Sequence, residues 1–203
     1  RSAYRQRYRD RDIVLRDNVP EALHKEASEH LRGYYAHIAA LDHALEILLD
    51  GIREAGMEEN TILVVTSDHG DMRSSQALQT KCFPFDESIR VPFLIRGPGI
   101  TPGRCPVPID APDIMPTLLS LCGLEIPETV EGRDWSPEIL GAREANAEDA
   151  AFLNMAVAFT ELQFNDMLAY RGLRNRRYTY VRNLDGPWLL YDNETDPYQM
   201  NNL

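Results

Sequence analysis

The chain has 203 residues, enough for one sizeable core or a core with a small appendage. Lys and Arg number 21 against 32 Asp and Glu, and the net charge of −11 argues against nucleic acid as a partner, because phosphate binding needs a cationic surplus. No apolar run approaches the ~20 residues that span a bilayer. Three cysteines, Cys82, Cys105 and Cys122, lack zinc-finger spacing and are too few for a disulfide framework; one disulfide is allowed, and three buried thiols are the expectation.

Residues 1–19 are charged and without periodicity, and read as a surface arm. They open RSAYRQRYRDRD with no Met, so the true start is expected upstream. Asn18, Pro20 and Glu21 signal a helix start. From Leu23 to Ile52, Leu31, Tyr34, Tyr35, Ile38, Leu41, Leu45, Leu48 and Leu49 recur at three- and four-residue steps, which predicts one long amphipathic helix with a buried stripe, closed at Gly56. His24, His30, His37 and His43 lie on that helix and are expected to be solvated. Thr61–Thr66 reads as a buried strand and Arg90–Ile95 as a second, stopped by Gly97-Pro98-Gly99. Asp110-Ala-Pro-Asp113 opens a helix through Leu121, closed by Gly123, with Asp113 as a cap. This alternation of helix and strand predicts an α/β layer architecture. Residues 125–150 are rich in loop formers. Beyond Ala150, AAFLNM, MLAYRGLR, RYTYVRN and WLLYDN read as short antiparallel strands with turns at Asn175-Arg176 and Leu184–Pro187. The arginines of RGLRNRRYTYVRN fall at strand spacing, and the solvated face of a sheet accounts for them.

The chemistry centres on NTILVVTSDHGDM, residues 60–72. An apolar strand runs directly into Ser67, Asp68, His69, Gly70 and Asp71. In α/β folds ligands bind where loops leave the carboxyl ends of strands. A carboxylate beside an imidazole is half of a metal site, although a strand-end turn would use the same residue types.

Read with the next stretch, KCFPFDESIRVPFLIRGPG, this segment resembles the central signature of the sulfatases, members of the alkaline phosphatase superfamily. The matching residues are Ser67-Asp68-His69-Gly70, Lys81, Phe83 to Phe85, Glu87-Ser88, Arg90-Val91-Pro92 and Pro98-Gly99. Further on, Asp113-Ile-Met-Pro-Thr-Leu-Leu119, Glu131-Gly132-Arg133-Asp134, Tyr178–Tyr180, Leu190–Asp192 and Asn201-Asn-Leu203 resemble later parts of the family pattern in order. The resemblance implies part of an alkaline-phosphatase-like α/β sandwich over residues 1–145, with a small C-terminal antiparallel sheet subdomain over 146–203.

The same resemblance implies a sulfate-ester hydrolase with Asp68 and His69 as metal ligands. Lys81 would then be the catalytic and substrate-binding cation. It implies calcium; the imidazole nitrogen of His69 also suits manganese. Glu87 and Arg90 read as a pair that fixes the loop. Sulfatases attack through a formylglycine made in a C-x-P-S-R type motif. Cys82, Cys105 and Cys122 are followed by FPFD, PVPI and GLEI, so the nucleophile is expected upstream, and this chain alone is expected to be inactive. Arg73-Ser74-Ser75-Gln76-Ala77 stands where many members carry G-x-H-G or G-x-Q-G, and it has no Gly. The implied partners are a sulfate-ester small molecule or glycan and the remainder of the same polypeptide. The competing readings are a phosphodiesterase or phosphonate monoester hydrolase of the same superfamily, and a non-catalytic relative that binds a sulfated ligand.

Overall fold

A computed structural model describes residues 2–146, 148–157 and 167–203; residue 147 and residues 158–166 of the expected C-terminal subdomain lie outside it. By internal packing the chain forms two compact units. One comprises residues 1–61 and 65–93, the other residues 62–64 and 94–203.

In the first unit the N-terminal segment is not the irregular arm expected. Ser2–Tyr8 form helix α1, which packs on the long helix α2, His24–Glu54. Tyr4 and Tyr8, four residues apart on one face, meet His43 and Tyr35 with ring centroids 6.5 and 6.0 Å apart. The segment ends in Asn18 and Val19, both buried. Helix α2 has the predicted extent and follows a short turn at Glu21–Leu23. Its stripe, however, is not buried: Ile38, Leu41 and Leu48 are 45, 60 and 51% exposed, and only Ala27 and Ala36 are buried. Periodicity reports which face a helix offers, not what covers it. Here α1 and the loops cover only part of the stripe. Strand β1, Leu63–Thr66, and strand β2, Phe93–Arg96, of which residues 63–64 and 94–96 belong to the second unit, are hydrogen-bonded neighbours, with the short helix α3, Asp86–Ile89, between them in sequence. The β1 strand expected to be buried is half-buried, and Leu94 on β2 is exposed.

In the second unit helix α4, Ala111–Leu121, starts at a capping box made by Asp110 and Asp113. Asp113 also accepts Trp135 Nε1–H and the Arg133 amide, each at 2.7 Å, so the cap expected there also ties the Glu131–Trp135 turn to the helix. Gly132 permits this, since a Cβ would lie 1.9 Å from the Pro112 carbonyl oxygen. Helix α5, Ser136–Ile139, follows. The sheet then runs β3 Ala150–Met155, β4 Tyr170–Asn175, β5 Tyr178–Asn183 and β6 Gly186–Asp192, antiparallel in that order. Tyr170, Val181, Leu189 and Tyr191 alternate onto its buried face, as period-2 patterning requires. Arg171 and Arg182 face each other on the exposed side, the solvated face expected for those arginines. The expectation of buried thiols fails: Cys105 and Cys122 are exposed, Cys82 is half-buried, and none of the three is in a disulfide. Small apolar residues read alike in a core or on a loop, and these two lie on loop and helix-end segments.

Glu138 on α5 supplies a pH-dependent contribution. Its side chain is 1% exposed and accepts Arg143 Nε–H and Nη2–H at 2.7 and 2.8 Å, and Arg133 Nη2–H at 3.2 Å. The hydrogen bonds from Arg143 hold its carboxyl below the ordinary value of 4.5, against the upward push of burial. A depressed folded-state value gives stability that is complete above the unfolded value and lost as pH falls through the folded one. Glu138→Gln should therefore cost about 1–2 kcal/mol near neutrality, the two arginines being half-exposed and screened. The gap in melting temperature from wild type should close as pH is lowered below 4.5. A gap that stayed constant down to acid pH would contradict this account.

Candidate functional site

All three residues expected at the site lie in the first unit. Strand β1 ends at Thr66, and the turn after it is fixed by its own polar groups. Asp68 Oδ1 accepts the His69 amide at 3.0 Å and the Ser67 hydroxyl at 3.4 Å. That leaves Oδ2 free to face the imidazole, 3.4 Å from His69 Nε2. His69 Nδ1 lies 2.8 Å from the Gly70 carbonyl oxygen. A carbonyl only accepts, so Nδ1 carries the proton, and Nε2 presents its lone pair. Lys81 Nζ sits 2.9 Å from that nitrogen. An ammonium only donates, which agrees with the same tautomer. The structure thus brings Asp68, His69 and Lys81 together at a solvent-open turn, with the Asp68 and His69 side chains 84 and 39% exposed.

The Asp68 carboxyl is held below its ordinary range. Desolvation, the largest single influence, pushes it up. The electrostatic pull of the adjoining His69 ring, the His69 amide and the Ser67 hydroxyl together outweigh it. The site therefore presents an ionised oxygen and an imidazole lone pair side by side.

What fixes the turn is a backbone pairing. Gly70 N–H donates to the Ser88 carbonyl and Asp71 N–H to the Glu87 carbonyl, both at 2.8 Å. The approach is so close that a Cβ on Gly70 would lie 2.0 Å from the Glu87 oxygen. Glu87 is held in turn, but not by Arg90 as expected. Its side chain, 5% exposed, takes Arg16 Nη1 at 2.7 Å and Asn18 Nδ2–H at 2.8 Å. Arg90 is exposed and approaches Asp86 at 3.6 Å. The sequence reading paired the two charges that are neighbours in the motif; the nearer partners come from about seventy residues upstream. Nothing in a single sequence marks Arg16 and Asn18, beyond the Asn-x-Pro that signals the helix start.

The loop from the turn to Lys81 is unusual. Arg73, Ser74, Gln76, Ala77, Thr80 and Cys82 all have positive φ, between 47° and 77°. None is glycine, and each costs about 1 kcal/mol relative to the right-handed region. Backbone bonds hold them there: Met72 N–H to Thr80 at 2.6 Å, Ser74 N–H to Leu78 at 2.9 Å and Gln76 N–H to the Asn18 carbonyl at 2.8 Å. Met72, Phe83 and Phe85 are buried beneath the loop. Arg73 lies 4.7 Å above the Tyr34 ring and 3.2 Å from Asp71. Thr80 and Cys82, both left-handed, flank Lys81 and set the direction from which its ammonium reaches His69.

Two donors bound to one divalent ion stand roughly 3–3.5 Å apart at the usual bond lengths. Asp68 Oδ2 and His69 Nε2, at 3.4 Å, meet that spacing. Among the described residues no group of three or more His, Cys, Asp or Glu side chains converges on one point.

Two substitutions test this backbone account. Gly70→Ala should cost more than ~2 kcal/mol, because carbonyl backbone and not a movable side chain blocks the new methyl. Ala77→Gly, at an exposed position with φ of 60°, should raise stability by about 0.5–1 kcal/mol. Urea unfolding midpoints measure both, and an Ala77→Gly variant less stable than wild type would show that the loop is not strained at that residue.

Residues 2–124 match the Sulfatase family, and residues 76–203 match the family described as N-sulphoglucosamine sulphohydrolase, C-terminal. The ulvan-active sulfatase of Formosa agariphila is 40% identical over 98% of this chain and 40% of its own length. The endo-4-O-sulfatase of Bacteroides thetaiotaomicron is 34% identical over 94% of this chain and 40% of its own. The chain thus spans about two fifths of the length of these relatives. A solved Bacteroides fragilis protein, provisionally described as a sulfatase, superposes with a TM-score of 0.87 at 31% identity, covering all of this chain and 45% of that one. The phosphonate monoester hydrolase of Agrobacterium radiobacter superposes less closely, with a TM-score of 0.68 at 28% identity over 87% of this chain and 37% of that one. The expected α/β fold with its small antiparallel sheet is borne out, and the chain belongs to the sulfatase family.

Proposed function

We propose that this chain is part of a sulfuric ester hydrolase acting on a sulfated sugar. The observation that carries the reading is the convergence of Asp68 Oδ2, His69 Nε2 and Lys81 Nζ at the end of β1, in a chain of this family. Asp68 and His69 would hold a divalent ion, calcium or manganese, together with carboxylates from elsewhere in a longer polypeptide. When bound, the ion supplies a fixed positive charge beside the ester oxygens. A formylglycine from a C-x-P-S-R type segment, a motif absent from these 203 residues, would supply the nucleophile. The sugar is inferred from the relatives: one matched family is named for N-sulphoglucosamine.

What this chain's residues would do follows from their chemistry. His69 has one lone pair on Nε2, and it cannot serve Lys81 and a metal at once. The ammonium therefore leaves Nε2 when the nitrogen is used as a ligand, and its flexible stem carries the charge to a neighbouring oxygen of the ester. As the bond to the leaving oxygen lengthens, negative charge builds there, and a cation held beside it stabilises it. Gln76, in the loop beside Lys81, has no titratable proton and is excluded as a general acid. The resemblance to a phosphonate monoester hydrolase supports the second reading, since a phosphonate monoester is likewise a tetrahedral oxyanion, with two terminal oxygens where a sulfate ester has three.

In a polypeptide that carries the formylglycine, Lys81→Ala should remove about 2–4 kcal/mol of transition-state stabilisation, lowering kcat roughly 30- to 1,000-fold. Lys81→Arg should recover only part, because a planar fork does not reproduce a point charge at the same reach. The melting temperature should move little. Near-normal kcat/KM in Lys81→Ala would make Lys81 an ordinary surface lysine. Preference for a phosphonate monoester over a sulfate ester in kcat/KM would select the second reading.

The 203-residue chain by itself should turn over no sulfate ester, for want of a nucleophile and a full ligand set. Calorimetric titration with Mn2+ and Ca2+ should still detect weak binding that Asp68→Asn and His69→Ala each abolish. Binding unaffected by both substitutions would remove these residues from the ligand set.

A further inference from the structure

The charge of the chain is not evenly spread. Its first sixteen residues hold six arginines and two aspartates, a net +4 in a chain of −11. Arg5, Arg7, Arg9 and Arg11 are all exposed on α1 and the turn that follows it. Tyr4 and Tyr8 take the face that packs on α2, which leaves the arginines outward. Asp10 and Asp12 stand among them in sequence, yet among the described residues none of the four guanidinium groups is paired with a carboxylate. Arg7 and Arg11 instead lie 5.9 and 5.5 Å from the Tyr8 ring, which keeps two like charges close together. Such a cluster raises the energy of the free protein by mutual repulsion, and an anionic partner relieves it.

The segment is also anchored. The Arg11 carbonyl accepts Arg32 Nε–H at 3.3 Å, and Arg16 and Asn18 clamp Glu87, whose backbone holds the turn that bears Asp68 and His69. A ligand on the arginines would therefore engage a segment tied, through a few bonds within one compact unit, to the candidate site.

We propose that Arg5, Arg7, Arg9 and Arg11 form a binding surface for the anionic chain of a sulfated polysaccharide, outside the site of hydrolysis. This rests on the sulfated-sugar reading above and extends it from a single ester to a polymer. Guanidinium groups match sulfate oxygens through paired N–H donors, and four of them in seven residues give a multivalent contact that a monosulfated molecule cannot use.

The test is direct binding of the purified protein to dextran sulfate, with unsulfated dextran and double-stranded DNA as comparisons. Dextran sulfate should bind and dextran should not. With four contacts, affinity should fall roughly 50-fold between about 50 and 200 mM salt. The variant R5Q/R7Q/R9Q/R11Q should bind at least tenfold more weakly, with a flatter salt dependence and an unchanged melting temperature. R171Q/R182Q, which removes an equally exposed arginine pair on the β4–β5 hairpin, should bind as wild type does. The proposal is overturned if the quadruple variant binds normally, if R171Q/R182Q loses as much, or if DNA binds as tightly as dextran sulfate at matched charge. Polymer binding without sulfate-ester turnover in the longer polypeptide would leave this surface standing and sink the hydrolase reading; turnover of a small aryl sulfate without polymer binding would do the reverse.

Discussion

The candidate site depends on two backbone hydrogen bonds, Gly70 to Ser88 and Asp71 to Glu87. They join the turn after β1 to α3, pairing residues sixteen and eighteen positions apart that all belong to the motif. A peptide pairing this tight leaves no room for a side chain at position 70, and it fixes the carbonyl of Gly70, which in turn orients the His69 ring. The tautomer of His69, and so the atom it offers to a ligand, is set by backbone. The carboxylate of Glu87, buried and paired with Arg16 and Asn18, holds the other side of the pairing in place. Chemistry at the turn is thus secured by residues that touch no ligand.

The loop that delivers Lys81 follows the same logic at higher cost. Six left-handed non-glycine residues within ten positions would not persist in an isolated peptide. They persist here because Met72, Phe83 and Phe85 are buried and because Gln76 is bonded to Asn18. Asn18 therefore serves both halves of the site, through its side chain to Glu87 and through its carbonyl to the loop.

Local periodicity and turn chemistry made much of the fold legible. The four C-terminal strands, their turns, helix α2, helix α4 and the Asp113 cap all follow from patterns within a few residues. The positions of Asp68, His69 and Lys81 were legible only as an ordered motif, because two adjacent residues at a strand end fit a turn equally well. Three features were not legible, for a common reason. The pairing of Glu87 with Arg16, the exposure of the α2 stripe and the docking of α1 all depend on contacts between distant segments. A charged residue does not announce which opposite charge will reach it. An amphipathic stripe does not announce whether anything lies on it. Helix α1, with four arginines within and just beyond two turns, carries only Tyr4 and Tyr8 as its apolar signal, too few to register as a periodicity.

A total of −11 argues against binding a polyanion such as nucleic acid. Yet salt screens exposed charges beyond about 8 Å at physiological ionic strength, so an anion meets the charges near its docking point and not the sum. At the turn after β1 those are an ionised Asp68 and the ammonium of Lys81, which nearly cancel until a cation is added. At the N-terminal segment they are four arginines without carboxylate partners among the described residues. The acidic remainder still acts: it disfavours anions elsewhere on the surface, and so confines them to the places where cations are gathered. For an acidic protein to hold an anion it needs local cation clusters, and this chain gathers arginines on the same compact unit as its candidate site.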